Sequence, residues 1–170
     1  VHRGVVVVGG VLEEREHAAL AKRGLPLASN QVQYHLLYRQ IETDGILDTA
    51  KELGVTIIAW SPLGSGLLTG KFHKDPEVLR RTPVGRRAML RRQVESSKGL
   101  IAALDEIAAD HQVTTAQVAL NWLITHHGDT VVAIPGASKV YHAAESAGAL
   151  GFSLADGEMA RIDELSRQFR

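Results

Sequence analysis

Short runs of β-branched and aliphatic residues alternate along this chain with longer segments of helical period, and that alternation constrains the fold more than any other feature. Strands that read as continuous apolar runs rather than as in-out alternation belong to parallel sheets covered by helices. The spacing predicts a first strand over Gly4 to Val8, ended by Gly9-Gly10, and a charged helix from Leu12 to Lys22 stopped by Gly24. A second strand is expected over roughly Leu27 to Tyr34. Asp44 then caps a helix that sets Ile46, Leu47, Ala50 and Leu53 on one face and closes at Gly54. Val55 to Trp60 is the clearest strand, and its composition predicts burial on both faces.

A polar excursion follows, from Ser61 to about Arg92, too long for an idle connection in a compact domain. Apolar spacing predicts a helix from about Val94 to His111, with Leu100, Ile101, Leu104, Ile107 and Ala108 along one stripe. Thr114 or Thr115 caps the next helix, which carries Val118, Leu120, Trp122 and Leu123 and stops at Gly128. Val131 to Ile134 reads as a fourth strand, ended by Pro135-Gly136. A short helix is expected from about Lys139 to Ala147, and a terminal one from Asp156 to near Phe169. The fold class is therefore α/β, with four parallel strands and flanking helices in a single domain over residues 1–170. A complete eightfold barrel has eight such units in ~250 residues, so this count corresponds to half of one.

Composition narrows the function classes. Nineteen Lys and Arg balance nineteen Asp and Glu, so no overall field draws the chain to nucleic acid or to an anionic membrane. The absence of cysteine excludes a disulfide framework, a thiolate nucleophile and Cys-based metal sites, and it fits a reducing cytoplasm. The apolar runs fall far short of the ~20 residues of a membrane helix. The opening Val-His-Arg-Gly-Val lacks the layout of a secretory signal and reads as a cut or a start in mid-domain.

In parallel α/β folds the site is built by loops leaving the C-terminal ends of the strands. The exit of the third strand, Trp60-Ser61-Pro62-Leu63-Gly64-Ser65-Gly66-Leu67-Leu68-Thr69-Gly70-Lys71, combines an aromatic, hydroxyls, glycines and a lysine. Glycines admit a phosphate close to backbone N–H groups, hydroxyls add donors and the lysine adds charge. The fourth exit, Ile134-Pro135-Gly136-Ala137-Ser138-Lys139, opens a helix whose free amides and dipole favour an anion. Together they predict an anion-binding rim at the last two strands.

Four segments, Ser29-Asn30-Gln31-Val32-Gln33-Tyr34, Ala59-Trp60-Ser61-Pro62-Leu63-Gly64, Ala116-Gln117-Val118-Ala119-Leu120-Asn121-Trp122-Leu123 and Ile134-Pro135-Gly136-Ala137-Ser138-Lys139, resemble consecutive landmarks of the aldo/keto reductases. Their order and spacing match the C-terminal half of that family's TIM-type (β/α)8 barrel. The resemblance implies an NADP-dependent oxidoreductase that reduces carbonyls to alcohols. It implies that Gln31 holds the nicotinamide carboxamide and that Trp60 stacks on the ring. Ser61, Leu63, Ser65 and Lys71 match the pyrophosphate-binding segment. Gly136, Ser138 and Lys139 match the loop that takes the adenosine 2′-phosphate, and His142, Glu145 and Ser146 fall where phosphate and adenine are contacted.

Three departures accompany the match. His142 stands where Gln or Arg is usual, and Ser146 where Asn is usual. The Ser-Asn pair that normally ends strand 5 and binds the carboxamide is replaced by Gly9-Gly10. NADP binding is accordingly expected to be weakened or lost. The family's catalytic Tyr, Lys, His and Asp all come from the first half of the barrel, so no catalytic residue is assigned here, and neither Tyr34, Tyr38 nor Tyr141 is nominated as a substitute.

The remaining features have plainer readings. The Gly-rich loop after Trp60 could be an ordinary turn, Ser138 a local helix cap, Gln31 a member of a buried polar network, and Trp122 a core residue. No G-x-G-x-x-G follows the first strand. Adjacent His126 and His127 at a helix end point in different directions and make a poor metal pair, so no metal site is expected. The basic run through Lys74, Arg80, Arg81, Arg86, Arg87, Arg91 and Arg92 reads first as a solvated face and second as a lid over a cofactor; nucleic acid ranks below both for want of interleaved aromatics. Half a barrel leaves two sheet edges and an inner face uncovered, so self-association or a partner supplying the N-terminal half-barrel is expected. A carbonyl substrate is expected only when the barrel is completed. The rival expectation is a catalytically silent nucleotide-binding or protein-interaction module.

Overall fold

The computed structural model of the chain describes residues 5–8 and 14–170. The expected Gly9-Gly10 stop and the expected helix start at Leu12 lie outside them. The elements are β1 (Val5–Val8), α1 (Glu14–Ala21), β2 (Leu27–Gln33), α2 (Ile46–Leu53), β3 (Thr56–Trp60), α3 (Lys71–Lys74), α4 (Pro76–Arg80), α5 (Val84–Asp110), α6 (Thr115–Thr125), β4 (Val131–Ile134), α7 (Val140–Gly148) and α8 (Asp156–Ser166). All described strand pairs are parallel and the sheet order is β1-β2-β3-β4, so each βα unit lays its strand beside the previous one.

The parallel register sorts the sheet into two faces. Asn30, Ile57 and Val131 form one row and Val32, Ala59 and Ala133 another; these face the helices and most of them are fully buried. Gln31, Ile58 and Val132, then Gln33, Trp60 and Ile134, form the alternate rows on the opposite face. That face is uncovered: Trp60 is 39 % exposed, Val132 44 % and Ile134 46 %. The expectation that Val55 to Trp60 is buried on both sides is corrected. Its β-branched composition suits a two-sided strand, but helices cover only one side here.

The core lies between the sheet and α2, α5, α6 and α8, with Leu47, Ala50, Leu100, Leu104, Val118, Trp122 and Ile162 among its members. Local signals explain the boundaries. Gly45, not the expected Asp44, flanks the start of α2, with Asp44 Oδ1 one residue before it accepting from Ile46 N–H at 3.1 Å, and Gly54 ends the helix in the left-handed region at φ 64°, with Val55 N–H returning to Ala50 O at 2.8 Å. Of the two threonines, Thr114 caps α6. Its hydroxyl accepts from Gln117 N–H at 3.2 Å, while Gln117 Oε1 accepts from Thr114 N–H at 2.9 Å, a reciprocal capping box.

The excursion after β3 is largely helical, which corrects the reading of Ser61 to Arg92 as one long loop. After a 3-10 stretch over Gly64–Thr69 come α3 and α4, and α5 starts at Val84, ten residues ahead of Val94. Asp75 caps α4, its carboxylate accepting from Glu77 N–H at 2.9 Å with Pro76 in the first turn. The early start of α5 was hidden because Arg86, Arg87, Arg91 and Arg92 leave only Leu90 buried in that stretch. Arginine is a good helix former, and a long helix can begin before its apolar stripe does. Lys74 pairs with Asp105 at 2.8 Å and reaches Thr115 Oγ1 at 3.2 Å, which ties α3 to α5 and α6. His73 Nε2 lies 3.1 Å from both Val94 O and Ser97 Oγ, a second tie to α5.

Helix α7 is fixed to α6 by amide side chains. Gln117 Nε2 donates to Glu145 O at 3.0 Å, and Asn121 Nδ2 donates to Ala149 O and Phe152 O at 2.9 Å each. A Cβ on Gly148 would lie 2.2 Å from Gln117 Nε2. Gly148→Ala is therefore expected to push Gln117 off the Glu145 carbonyl and cost about 1–2 kcal/mol, the range of a lost hydrogen bond with mild overpacking. Thermal melts of Gly148→Ala and of Gly148→Ala with Gln117→Ala check this: the second substitution should recover part of the loss, and a fully additive loss would refute the steric cause.

Candidate functional site

The exits of β3 and β4 lie side by side because the two strands pair in register from Ile57↔Val131 to Trp60↔Ile134. Between them and the N-terminal turn of α6 is a cavity of about 660 Å³. From the third exit its wall takes Ser61, Leu63, Ser65 and Lys71, with Pro62, Gly66 and Thr69. From the fourth it takes Gly136 and, along α7, His142, Glu145 and Ser146, with Ile134, Pro135 and Tyr141. Residues far apart in sequence thus share one concave surface.

The third exit has an unusual backbone. Ser61 and Ser65 are non-glycine residues in the left-handed region, both at φ 55°, and Gly64 and Gly66 share that region at φ 55° and 87°. Such conformations cost ~1–3 kcal/mol at a non-glycine residue and concentrate at ligand sites. A side chain on Gly66 would lie 2.8 Å from Lys71 Nζ, so the glycine leaves room for the ammonium to fold back over the loop. A lysine over a turn of left-handed residues is a fitting cradle for a phosphate.

Four expected residues stand off this cavity wall. Gln31 and Trp60 are on the open sheet face, one row apart. Ser138 and Lys139 are exposed at the start of α7. Lys139, not Ser138, is the residue flanking that helix, and no side chain caps it; Ser138 Oγ instead lies 3.4 Å from His142 Nδ1. The reading of Ser138 as a local cap is corrected.

The residues that sequence reasoning missed are Thr114, Ala116, Gln117 and Leu120 of α6, together with Tyr141. The cap at Thr114 marked a helix start, but nothing in the spacing said that this start would face the two loops. Gln117 then does two tasks, closing the capping box and holding the Glu145 carbonyl beside the cavity.

None of the tyrosines has the setting of a proton donor to this cavity. Tyr34 is fully buried on the helix side, donating to Glu42 Oε1 at 2.7 Å, with His127 Nε2 at 2.9 Å. Burial, then the Glu42 hydrogen bond, push its hydroxyl far above the ordinary range. Tyr38 donates to Gln40 Oε1 at 3.0 Å, away from the cavity wall. Tyr141 reaches the wall but is 58 % exposed, its ring packed edge-on against His142.

The two histidines at the end of α6 require another correction, because they converge rather than diverge. His126 keeps helical dihedrals and stacks on Trp122 at 4.2 Å, whereas His127 leaves the helix (φ −113°, ψ 27°) and swings its ring back to Tyr34. Their ring nitrogens and a Glu42 oxygen all fall within 4.8 Å of one another. The donor set does not suit a cation, however. Glu42 already accepts from Tyr34, from Arg39 Nε and an Arg39 terminal nitrogen at 2.7 Å each, and from Arg170 at 3.0 Å. A metal ion there would face two guanidinium groups.

The chain resembles known proteins along most of its length. It is 38% identical over 153 residues to the chloroplastic pyridoxal reductase of Arabidopsis thaliana, a match that covers 89% of this chain and 40% of the relative. It is 34% identical over 145 residues to the L-glyceraldehyde 3-phosphate reductase of Escherichia coli, covering 82% and 42%. The chain thus spans about 40% of the length of the curated relatives it matches. Among solved structures, a thermostable aldo-keto reductase in complex with the inhibitor epalrestat matches with a TM-score of 0.69 and 30% identity, over 95% of this chain and 48% of that one. An aldo-keto reductase from Klebsiella pneumoniae in complex with NADPH matches with a TM-score of 0.64 and 25% identity, over 96% and 47%. No described helix is long and apolar enough to cross a membrane. The model of the aldo/keto reductase family matches residues 10–167, and with a parallel-sheet α/β fold that matches solved structures of that family the chain belongs to the aldo/keto reductases.

Proposed function

We propose that this chain is the NADP-binding C-terminal half of an aldo/keto reductase barrel, a cytoplasmic part that becomes an enzyme only when a first half supplies the catalytic tetrad. The observation that carries this reading is the gathering of Ser61, Leu63, Ser65, Lys71, Gly136, His142, Glu145 and Ser146 on one cavity of about 660 Å³. The residues fit a dinucleotide phosphate. Lys71 supplies charge over a turn of left-handed residues, Ser61 and Ser65 supply hydroxyls, and the α6 and α7 starts supply helix dipoles. The NADPH bound by the Klebsiella pneumoniae neighbour supports the same ligand here. When bound, this cofactor supplies a hydride to a carbonyl carbon. Gln31 and Trp60, on the open sheet face, would orient its nicotinamide end, and Ser138 and Lys139 would meet its 2′-phosphate.

NADPH at a hundred times its Kd should raise the melting temperature by roughly 5–10 °C, the equivalent of about 2.7 kcal/mol in a domain of this size, and NADH should do less. Lys71→Ala should weaken NADPH about tenfold, as expected for a lost charge-assisted contact. Carbonyl-dependent NADPH oxidation should appear only on mixing with an N-terminal half-barrel. Absence of any NADPH shift at millimolar concentration would reject the reading. It would favour the second one, a catalytically silent interaction module, to which His142, Ser146 and Gly9-Gly10 already point by departing from the family pattern. The uncovered sheet face with Trp60, Val132 and Ile134 gives either version a reason to associate, with a copy of itself or with the missing half.

A further inference from the structure

Outside the cavity, the open face of the sheet carries a polar group that the reading above leaves without a task. Gln33 is the register partner of Trp60, so their side chains stand side by side at the end of the sheet, one step beyond Gln31. Gln33 is held from behind. Its side-chain nitrogen Nε2 is placed 3.2 Å from His35 Nε2, and His35 is 5 % exposed, packed under the rim loop where a Cβ on Gly64 would touch Cε1 at 3.4 Å.

The imidazole fixes which end of the amide is presented. His35 Nδ1 accepts a hydrogen bond from Leu37 N–H at 3.2 Å, so the ring proton sits on Nε2. A neutral imidazole cannot accept at both nitrogens, so Nε2 donates, and the Gln33 amide is turned end for end from that placement, its oxygen facing the ring. Burial supports the same state by lowering the His35 pKa to about 4, which keeps the ring neutral. With its oxygen engaged, Gln33 has its NH₂ left over, and it makes no other side-chain hydrogen bond among the described residues. Beside the exposed indole of Trp60 stands a preset hydrogen-bond donor.

We propose that Gln33, oriented by His35 as a positioning residue, is a ligand contact that donates to the exocyclic carbonyl of a planar ring stacked on Trp60. This rests on the NADP reading, and the ring in that case is nicotinamide. Gln33 then replaces part of the amide grip missing at Gly9-Gly10. Because His35 also supports Gly64, the ring end and the phosphate rim share one buried side chain.

The test compares NADPH with adenosine 2′,5′-bisphosphate, which has the adenosine end and no ring, on the wild type, Gln33→Leu, His35→Phe and the double variant, each checked for an unchanged far-UV spectrum. Gln33→Leu should bind NADPH about three- to tenfold more weakly, the worth of one neutral hydrogen bond, and should hold the bisphosphate within about twofold. His35→Phe should lose NADPH affinity in the same direction, and the double variant should be no weaker than the sum of one lost contact. Unchanged NADPH affinity in Gln33→Leu, or an equal loss on both ligands, overturns the proposal. A wild type that binds the bisphosphate as tightly as NADPH overturns it while the rim reading stands. A wild type that binds neither overturns the rim reading and this one with it.

Discussion

Replacing Arg39 with leucine should lower stability by about 3–5 kcal/mol, a drop in melting temperature of roughly 10 °C, the largest expected effect of any substitution considered. Arg39 is fully buried, yet every face of its guanidinium is used. It pairs with Glu42 through two nitrogens at 2.7 Å, with Asp163 Oδ1 at 2.6 Å and with Ser166 Oγ at 2.5 Å, and it lies 4.7 Å over the Trp122 ring. Its backbone N–H donates to Phe169 O at 2.8 Å. One residue after β2 therefore clamps α8 and the C-terminal turn to the rest of the core. Without it, Glu42 and Asp163 stay half-desolvated with fewer partners, and a stranded buried charge is what makes such losses large. Removing both ends costs less than removing one, so Arg39→Met with Glu42→Leu should melt above Arg39→Leu. A single variant within about 2 °C of the parent would show that Arg167 and Arg170 suffice to hold Asp163 and Glu42.

Acid should unfold the chain early, with stability falling from about pH 6.5 downward. Burial lowers both His35 and His126 to about 4, and for His126 the charges on His127 and Arg39 add to it. Between pH 6.5 and 4 these rings are neutral in the folded chain and protonated in the unfolded one. The unfolded state then binds more protons, so stability is present above 6.5 and is lost as pH falls through that window, by an amount of order 2 kcal/mol for each ring. The carboxylates extend the loss. Burial alone would raise Glu42 and Asp163, but the His127 ring 3.6 Å away and hydrogen bonds from Arg39 and Tyr34 outweigh it at the first, hydrogen bonds from Arg39 and Arg167 do so at the second, and both are held low. Their contribution is present above the ordinary carboxylate range and disappears below about pH 4. Chemical denaturation at a series of pH values checks this. His126→Phe and His35→Phe should each flatten the slope between 6.5 and 4; a slope unchanged in both would place the acid sensitivity elsewhere.

The same clamp shows what a linear reading misses. Arg39 lies in a short polar segment between β2 and α2, and nothing in its neighbours marks it as buried, because the acids it meets are three and 124 residues away. The expected divergence of His126 and His127 fails for a related reason: helical spacing predicts it only while the helix lasts, and His127 has left it. The start of α5 was hidden by arginines that form helix without marking a buried face. In contrast, the strands over Leu27–Gln33, Thr56–Trp60 and Val131–Ile134, and the caps at Gly54 and Thr114, were legible because each rests on local chemistry of a few residues.

The candidate site divides along the same line. The loops after Trp60 and Ile134 suggested an anion rim by composition, since glycine, serine and lysine at a strand's exit suit a phosphate. That they would close on one cavity with the start of α6 depended on β3 and β4 pairing in register and on Gln117 and Asn121 holding α7 in place. By itself the sequence determined the strands, most of the helices and the family, because periodicity, capping and motif order are local. Only the tertiary structure decided which sheet face stays open, that Gln33 stands beside Trp60, and that Arg39 holds the C-terminal turn. These depend on register and burial, which bring residues more than a hundred positions apart within hydrogen-bonding distance.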